Sequence, residues 1–241
     1  MMAGARKSRL DQLLVERGLT ESREKAQALI LAGQVLVNGQ KSDKPGRSFP
    51  EDARIELLEK IPYVSRGGFK LAAALDHFAI DVTGWTCIDT GASTGGFTDV
   101  LLQRGAAKVW ATDVGHAQLD WKIRSDARVV VEEGVNARHL DAKNYPHFDL
   151  AVCDVSFISA TMIAPVLAAM ADRMIILVKP QFEVGREDVG KGGIVRDPEL
   201  HRAACDRVRA AVEAAGFKTD IIESPILGAE GNREFLLYGH H

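Results

Sequence analysis

The sequence predicts an α/β protein in which a mostly parallel sheet carries helices on both faces, preceded by a smaller α+β unit. From Phe69 onward, seven short apolar runs alternate with segments of helical periodicity, which is typical of parallel strands joined by crossover helices. The first of these runs leads into a glycine-rich turn that opens a helix, as in α/β folds that hold a nucleotide-like ligand. The charge also divides the chain. Through Arg47 there are nine Lys and Arg against five Asp and Glu, a local +4 that leaves −7 for the remainder.

The first unit is predicted to begin with two short helices. Apolar residues recur at helical spacing over 10–14 and over 26–30, and Gly18-Leu19-Thr20 between them supplies a break and a helix cap. The segment 34–39 then carries the apolar residues Val35-Leu36-Val37 and ends in Asn-Gly, which favours a tight hairpin turn. A last short strand is predicted at 54–57. So few residues bury little apolar area, which indicates an accessory module.

The second unit is predicted to contain seven strands. They are TCIDT, KVWATDV, RVVVEEG, DLAVCDV, MIILVKP, DIIESPI and EFLLYG. The last two are close together without a full helix between them, so we expect a hairpin that inserts one antiparallel strand. We expect the first unit to span residues 1–60, a linker with Pro62 and paired glycines to span 61–68, and the second unit to span 69–241.

The basic first unit has a recognisable motif. The run RLDQLLVERGLTESREKAQALILAGQVLVNGQ resembles the S4 domain, a small RNA-binding module. The resemblance implies that Arg9, Arg23 and Lys25 contact RNA phosphates, and Arg66 in the linker is expected to join them. The alternative for each of these side chains is a solvated charged surface.

The glycine turn narrows the class of cofactor. A dinucleotide-binding turn has the pattern GxGxxG, whereas Gly91-Ala92-Ser93 lacks its second glycine. A nicotinamide or flavin dinucleotide is therefore disfavoured, and a ligand without phosphates, such as S-adenosylmethionine, is compatible. Asp113 ends the next strand and is the expected acceptor for ribose hydroxyls, its alternative being a helix cap. The predicted cofactor contacts are Asp89, Gly91, Ala92, Ser93, Gly95, Gly96, Phe97, Asp113, Asn136 and Asp154.

Two of these assignments have close competitors. Asn136 follows the third strand, where the adenosine would lie, but it could equally be a turn residue bonded to its own backbone. The segment 185–192 has the Gly-x-x-x-x-Gly-Lys spacing of a phosphate-binding loop. Gly192 stands where a magnesium-binding hydroxyl belongs, and Glu187 and Asp188 would repel phosphates, so we reject that function. A mobile loop that meets substrate RNA and a plain solvated loop remain alternatives.

Four charged residues stand next to buried segments. Asp154 and Lys179 end apolar strands, Glu234 opens the last strand, and Lys70 begins the helix before the first strand. Charges in such positions are costly unless they are paired. The motifs SRGGFKL, DTGASTGGFTD, CDVSFIS, LVKPQFE and NREFLLYG, in this order behind an S4 domain, resemble the TlyA or hemolysin A family of ribosomal RNA 2′-O-ribose methyltransferases, whose catalytic domain is FtsJ-like.

This resemblance implies a Rossmann-like class I methyltransferase fold that uses S-adenosylmethionine. It also implies a Lys-Asp-Lys-Glu catalytic tetrad, which corresponds to Lys70, Asp154, Lys179 and Glu234. Lys179 is the candidate for the group that contacts the ribose hydroxyl and accepts or stabilises its proton. The carboxylates would orient the two lysines. The implied substrate is ribosomal RNA, with cytidine as the target nucleoside.

Other functional classes are less consistent with the sequence. Three dispersed cysteines, Cys87, Cys153 and Cys205, indicate neither a disulfide framework nor a metal site, and we expect no metal. Neither a signal peptide nor a membrane span is recognisable, so we expect a cytoplasmic protein that does not bind membranes. Two alternatives remain: a non-catalytic RNA-binding or ribosome-assembly factor, and a hemolysin. The oligomeric state is left open.

Overall fold

The computed structural model describes residues 6–31, 33–58, 61–228 and 230–241. The chain divides into two compact units between Pro62 and Tyr63. The first unit has one small apolar core, and the second has a separate core on each side of its central sheet.

The first unit is a small α+β body. Its elements are β1 (Lys7–Arg9), α1 (Leu10–Glu16), α2 (Arg23–Leu31), β2 (Val35–Val37), β3 (Gln40–Lys41), β4 (Ser48–Pro50) and β5 (Ile55–Leu57). The two helices bury one apolar face against β2 and β5, with Leu10, Leu14, Ala26 and Ile30 fully excluded from solvent. The predicted hairpin is confirmed: Asn38 and Gly39 both have positive φ, 52° and 77°, as a tight primed turn between β2 and β3 requires.

Two local features of this unit differ from the sequence-based expectation. The hydroxyl of Ser22, and not that of Thr20, accepts the Lys25 N–H at the start of α2. A further two-stranded sheet pairs β1 antiparallel with β4, with Lys7 opposite Pro50. Such short strands carry no periodic signal, and a proline can occupy one because both are edge strands of a two-stranded sheet.

Within the described residues, the second unit has seven strands, which form one sheet, and six α-helices. The strands are β6 (Thr86–Thr90), β7 (Lys108–Asp113), β8 (Val129–Glu133), β9 (Leu150–Cys153), β10 (Met174–Val178), β11 (Lys218–Glu223) and β12 (Phe235–His240). The helices are α3 (Gly67–His77), α4 (Gly96–Gln103), α5 (Trp121–Arg124), α6 (Ala164–Ala168), α7 (Pro180–Glu183) and α8 (Pro198–Ala214). None of the helices within the described ranges has the length and apolarity that crossing a lipid bilayer demands.

The strand order is β11-β12-β10-β9-β6-β7-β8, and β12 alone runs opposite to the other six strands. This confirms the predicted mostly parallel sheet with one antiparallel strand. The register has a consequence for function. Val178, at the end of β10, pairs with Phe235, at the start of β12, so the next residues outward, Lys179 and Glu234, reach the same edge of the sheet. Parallel strands β6, β7, β8 and β9 also end at this edge.

Most of the segment 61–68, predicted to be a linker, is part of the second unit in the structure, because residues from Tyr63 onward pack within that unit. Tyr63 and Val64 lie against its apolar core, and the Val64 N–H donates to buried Asp99 on α4 at 2.9 Å. Gly67 and Gly68 begin α3 instead of breaking it. A Cβ on Gly68 would lie 2.4 Å from the Tyr63 ring, so the paired glycines allow a close approach here.

Candidate active site

The glycine turn between β6 and α4 forms the centre of the candidate site. Gly91 has φ +82°, and a Cβ there would lie 2.5 Å from the backbone oxygen of Asp154, so only glycine fits without a shift of the neighbouring strand end. The N–H groups of Gly91 and Ala92 both donate to the carbonyl oxygen of Thr112, at 2.9 and 3.1 Å. The turn is therefore held closely between the ends of β7 and β9.

A cavity of about 650 Å³ lies on one side of this turn. Asp113 lines it, and its two carboxylate oxygens accept the N–H groups of Ser93 (2.8 Å) and Gly115 (2.7 Å). Each oxygen keeps a further lone pair, which is what recognition of two ribose hydroxyls would require. Asn136 also lines the cavity, but its side-chain oxygen accepts the Arg138 N–H at 3.1 Å, as expected for the turn-residue alternative.

The walls of this cavity fit the nucleoside part of S-adenosylmethionine. Apolar side chains line it together with the Asp113 carboxylate, among them Val114, Val135, Ile158 and Met162. Ser93 stands at the place where a dinucleotide-binding turn would have its second glycine, and the preceding Ala92 is buried. The apolar walls suit a flat base, and the Asp113 carboxylate can accept the two ribose hydroxyls. The turn is not shaped for pyrophosphate, so the site is consistent with an adenosine ligand that carries no phosphate.

A second cavity, of about 290 Å³, lies on the other side of the turn. Both cavities include Gly91, Ser93, Asp154 and Ser156, so these residues form the boundary between them. Among the predicted cofactor contacts, Ala92, Gly96 and Phe97 line this second cavity, and so do both predicted catalytic lysines. The site is thus a larger apolar pocket that adjoins a smaller, charged one.

Two ion pairs bring the four predicted catalytic residues to this edge of the sheet. Lys70 Nζ lies 2.5 Å from Glu234 Oε2, and the two residues are only 8% and 3% exposed. Lys179 Nζ lies 2.6 Å from Asp154 Oδ1 and donates a hydrogen bond to Ser156 Oγ at 2.9 Å. Each amine has an adjacent carboxylate, which compensates for the cost of burying its charge. Lys70 and Lys179 line one cavity, and Glu234 acts from behind Lys70.

Two residues predicted to contact the cofactor lie elsewhere. Asp89 is fully buried behind the turn, where it accepts a hydrogen bond from the Thr98 hydroxyl at 2.6 Å. Burial raises the pKa of Asp89 to about 7, and the nearby carboxylates of Asp154 and Asp113 act in the same direction. Gly95, at φ +94°, faces the apolar side chains of Leu119 and Ile123. Both residues therefore face the packed core on the side of the turn that is opposite the cavity.

The loop after β9 contains functional candidates that sequence reasoning missed. Ser156 lines both cavities and contacts Lys179. Phe157 lines the larger cavity, is 91% exposed and has φ +64°, which is unusual for a bulky residue. Its position three residues after Asp154, in the motif CDVSFIS, was visible in the sequence, but an aromatic residue in an apolar-looking stretch is normally predicted to be buried.

The predicted RNA contacts have specific partners in the structure. In the first unit, Arg9 and Arg23 both bond to fully buried Asp11, and their side chains remain about half exposed. Their guanidinium groups hold the pKa of Asp11 well below its usual range. Lys25 pairs with Glu21 on the surface. In the second unit, Arg66 lines the smaller cavity and donates to the Leu227 carbonyl oxygen at 3.2 Å.

The segment 185–192 is expected from sequence to be either a mobile or a solvated loop, and side chains hold the residues that directly follow it in place. Asn232, which is buried, accepts the Val195 N–H at 3.0 Å and donates to the Gly193 carbonyl oxygen at 2.8 Å. Buried His201 contacts the Val195 carbonyl oxygen at 2.9 Å. Within the described part of the chain, no three His, Cys, Asp or Glu side chains are grouped as a metal site would need.

Comparisons with known proteins cover both units. A family model described as FtsJ-like methyltransferase matches residues 63–241, and one described as S4 domain matches residues 8–55. The 16S/23S rRNA (cytidine-2′-O)-methyltransferase TlyA of Mycobacterium tuberculosis is 45% identical, over 97% of this chain and 90% of that protein. Hemolysin A of Brachyspira hyodysenteriae is also 45% identical, over 95% of this chain and 98% of that protein.

Solved structures show the same relationship. A candidate hemolysin from Streptococcus thermophilus is 43% identical and superposes with a TM-score of 0.74, over 98% of this chain and 89% of that one. An S-adenosylmethionine-dependent methyltransferase candidate from Listeria monocytogenes is 15% identical, with a TM-score of 0.53 over 73% of this chain and all of that one. The second likeness concerns the fold alone.

Proposed function

Because this chain belongs to the FtsJ-like methyltransferase family and has an S4 domain in front of its catalytic unit, we propose that it methylates ribose 2′-hydroxyls of ribosomal RNA with S-adenosylmethionine. One observation carries the proposal: a buried lysine–carboxylate pair, Lys70–Glu234, and a half-buried one, Lys179–Asp154, adjoin a glycine turn beside an adenosine-sized cavity. The relatives named as TlyA support ribosomal RNA as the substrate and cytidine as the target nucleoside.

The cofactor is proposed to bind with its nucleoside in the larger cavity and its reactive end towards the smaller one. Asp113 would hold the ribose hydroxyls, while Gly91, Ser93 and Asp154 line both cavities and would follow the connecting part. Bound there, S-adenosylmethionine supplies an electrophilic methyl group on a positively charged sulfur. Nearby carboxylates, among them Asp154, favour a cationic ligand at this place.

The chemistry proposed for the residues starts with positioning. A ribose hydroxyl is a weak nucleophile at neutral pH, so holding it in line with the methyl group lowers much of the barrier. Lys179 Nζ donates N–H groups to Ser156 Oγ and Asp154 Oδ1. These two contacts orient the amine, so that its third bonding position would face the cavity that Lys179 lines. With S-adenosylmethionine held there, the bound cofactor would supply its methyl group to the hydroxyl oxygen, and Lys179 would accept or hold the hydroxyl proton.

The second ion pair has a different proposed role. Lys70, oriented by Glu234, lines the same cavity and would hold a substrate oxygen or phosphate. Phe157 offers an exposed aromatic face at the larger cavity, and a nucleobase turned out of its stack can lie against such a face. The substrate nucleoside would then be held at its base, its hydroxyl and its backbone.

Two measurements test the proposed function. Calorimetry with S-adenosylmethionine should show binding, whereas no detectable heat would favour a non-catalytic RNA-binding factor. Ribosomes from a strain without the gene should then gain a 2′-O-methylated nucleoside, identified as 2′-O-methylcytidine by mass spectrometry of digested ribosomal RNA. A base-methylated nucleoside, or no methylation of either ribosomal subunit by cofactor-binding protein, would contradict the proposal.

A further inference from the structure

The segment that carries Lys179 is joined to the loop after β9 by more than the contacts of Lys179 itself. Immediately after Lys179, α7 brings Glu183 into a buried position, 3% exposed. Its Oε2 accepts a hydrogen bond from Ser159 Oγ at 2.6 Å, and its Oε1 accepts the Ala160 N–H at 2.7 Å. Both carboxylate oxygens are therefore committed to the end of the loop that begins at Asp154.

The two segments meet at three successive places. At the start of the loop, Lys179 contacts Asp154 and Ser156. In the middle, the rings of Phe157 and Phe182 are 5.3 Å apart, at an interplanar angle of 51°. At the end, Glu183 holds Ser159 and Ala160. The loop and the α7 turn thus run side by side and are joined by polar contacts at both ends.

Two features of this contact are unfavourable for stability: a buried carboxylate and a strained backbone conformation. Glu183 is a buried carboxylate, and burial raises its pKa above the usual range although its hydrogen bonds to Ser159 and Ala160 oppose the rise. Phe157, in turn, has a left-handed backbone conformation, which is strained for a bulky residue and persists only where surrounding contacts impose it. A loop in this state would relax if it lost the anchor at its far end.

We propose that Glu183 is a positioning residue for the methyl transfer. By fixing the 154–160 loop against the α7 turn, it sets the register between the Lys179 amine on one segment and Ser156 and Phe157 on the other. Glu183 touches neither cavity and acts through the residues that do. This inference rests on the proposed function, because the register matters only if Lys179 and Phe157 contact the same substrate nucleoside.

The test compares two substitutions in the full-length protein, Glu183→Ala and Glu183→Gln. The alanine variant leaves the Ala160 N–H and the Ser159 hydroxyl without their acceptor. In the glutamine variant, the amide oxygen can still accept the Ala160 N–H while the amide nitrogen donates to Ser159 Oγ. Since a displacement of about 1 Å can cost about 100-fold in rate, we expect single-turnover methyl transfer to fall by about 10- to 100-fold in Glu183→Ala. Glu183→Gln should restore most of it.

A matched control separates positioning from stability. Asp149 accepts the Thr86 N–H at 2.8 Å, at the opposite edge of the sheet. Asp149→Ala therefore also removes a carboxylate that accepts a backbone N–H, so we expect a lower unfolding temperature with an unchanged single-turnover rate. The inference is overturned if Glu183→Ala turns over like the wild type, if Glu183→Gln is as slow as Glu183→Ala, or if Asp149→Ala loses as much rate.

Hydrogen exchange gives a readout that needs no substrate. Amides of residues 155–160 should exchange faster in Glu183→Ala than in the wild type, while those of β7 should not. Unchanged protection of 155–160 would contradict the positioning role even if the rate fell. If Glu183→Ala does not fold, Ser159→Ala, which removes one of the two bonds, should show the same two effects to a smaller degree. Failure of wild-type protein to methylate RNA would instead contradict the proposed function, and the exchange result would still decide the loop contact.

Discussion

At the scale of single residues, the acids around the glycine turn differ in what their environment does to them. Asp113 is held by two backbone N–H donors, and Asp154 is paired with Lys179. Asp89 is fully buried, and although its Oδ2 accepts the Thr98 hydroxyl at 2.6 Å, its Oδ1 has no hydrogen-bond partner among the described residues. Burial therefore raises its pKa to about 7, from an ordinary value near 4.

Asp89 predicts a pH-dependent contribution to stability. A carboxyl group whose pKa is raised on folding stabilises the folded state below its unfolded pKa, and this contribution is lost as pH rises towards the folded pKa. Between about pH 4 and pH 7, the wild type should therefore lose up to about 1.4 kcal/mol per pH unit relative to Asp89→Asn. Urea unfolding at several pH values measures this difference.

Asp81 provides a control of opposite sign for this titration. The hydroxyl and N–H of Thr83 lower the pKa of Asp81, so its contribution is present at high pH and is lost as pH falls. Stability curves of the wild type and Asp89→Asn that run parallel from pH 4 to pH 7 would show that Asp89 has the same pKa in the folded and unfolded chains.

At the scale of elements, the site depends on how closely the ends of β6 and β9 approach each other. Gly91 and Gly84 both have φ close to +80°, but only Gly91 has backbone atoms of another strand end within 3 Å of the position of a Cβ. Substituting each glycine in turn therefore separates two destabilising effects. One is the positive φ, which both positions share, and the other is the contact with Asp154, which only a side chain at Gly91 would make.

Gly91→Ala should be more damaging than Gly84→Ala. The left-handed conformation costs an alanine roughly 1–2 kcal/mol at either position. At Gly91 the Cβ must also displace the Asp154 carbonyl, so we expect a further loss of more than about 1 kcal/mol. The affinity for S-adenosylmethionine should fall in this variant and not in Gly84→Ala. Urea unfolding and calorimetry check both statements; equal effects of the two substitutions would exclude the close approach as the reason for glycine at 91.

Most elements of the second unit could be predicted from sequence because its strands are nearly continuous apolar runs that end in charged residues. Asp154 and Lys179 follow buried strands and could therefore be placed at one edge of the sheet from sequence. Glu234 reaches the same edge because it precedes the strand that runs antiparallel. The FtsJ-like family assignment, confirmed here, rested on those motifs. Glu183 and Phe157 could not be predicted in this way. Their roles depend on contacts between two loops, and a helix of four residues has no periodicity to reveal its buried face.

At the scale of the whole molecule, the uneven charge of the chain corresponds to two units with different proposed tasks. In the basic first unit, Arg9 and Arg23 both pair with the buried carboxylate of Asp11, which fixes the direction of both guanidinium groups. The second unit holds the paired charges of the candidate site. RNA affinity and methyl transfer should therefore respond to different substitutions.

Arg23→Ala tests this division, with Gln27→Ala as its matched control. Both side chains donate to Asp11 Oδ2, at 3.1 and 2.9 Å, but only Arg23 carries a charge. If Arg23 neutralises an RNA phosphate, its loss should weaken RNA binding and reduce the salt dependence of the affinity by about one unit of logarithmic slope or slightly less. Gln27→Ala should leave the slope unchanged, and neither variant should alter binding of S-adenosylmethionine. Equal salt slopes for wild type and Arg23→Ala would place Arg23 away from the RNA.

The most direct test of the proposed chemistry is single-turnover methyl transfer to ribosomal RNA by Lys179→Ala, measured beside its affinity for S-adenosylmethionine. Lys218→Ala is the control, because Lys218 pairs with His240 at the opposite edge of the sheet. We expect Lys179→Ala to lose about 100-fold or more in rate, with cofactor affinity within about 3-fold of the wild type, as removal of a proton-accepting group predicts. Ribose methylation at the wild-type rate by Lys179→Ala would contradict the account.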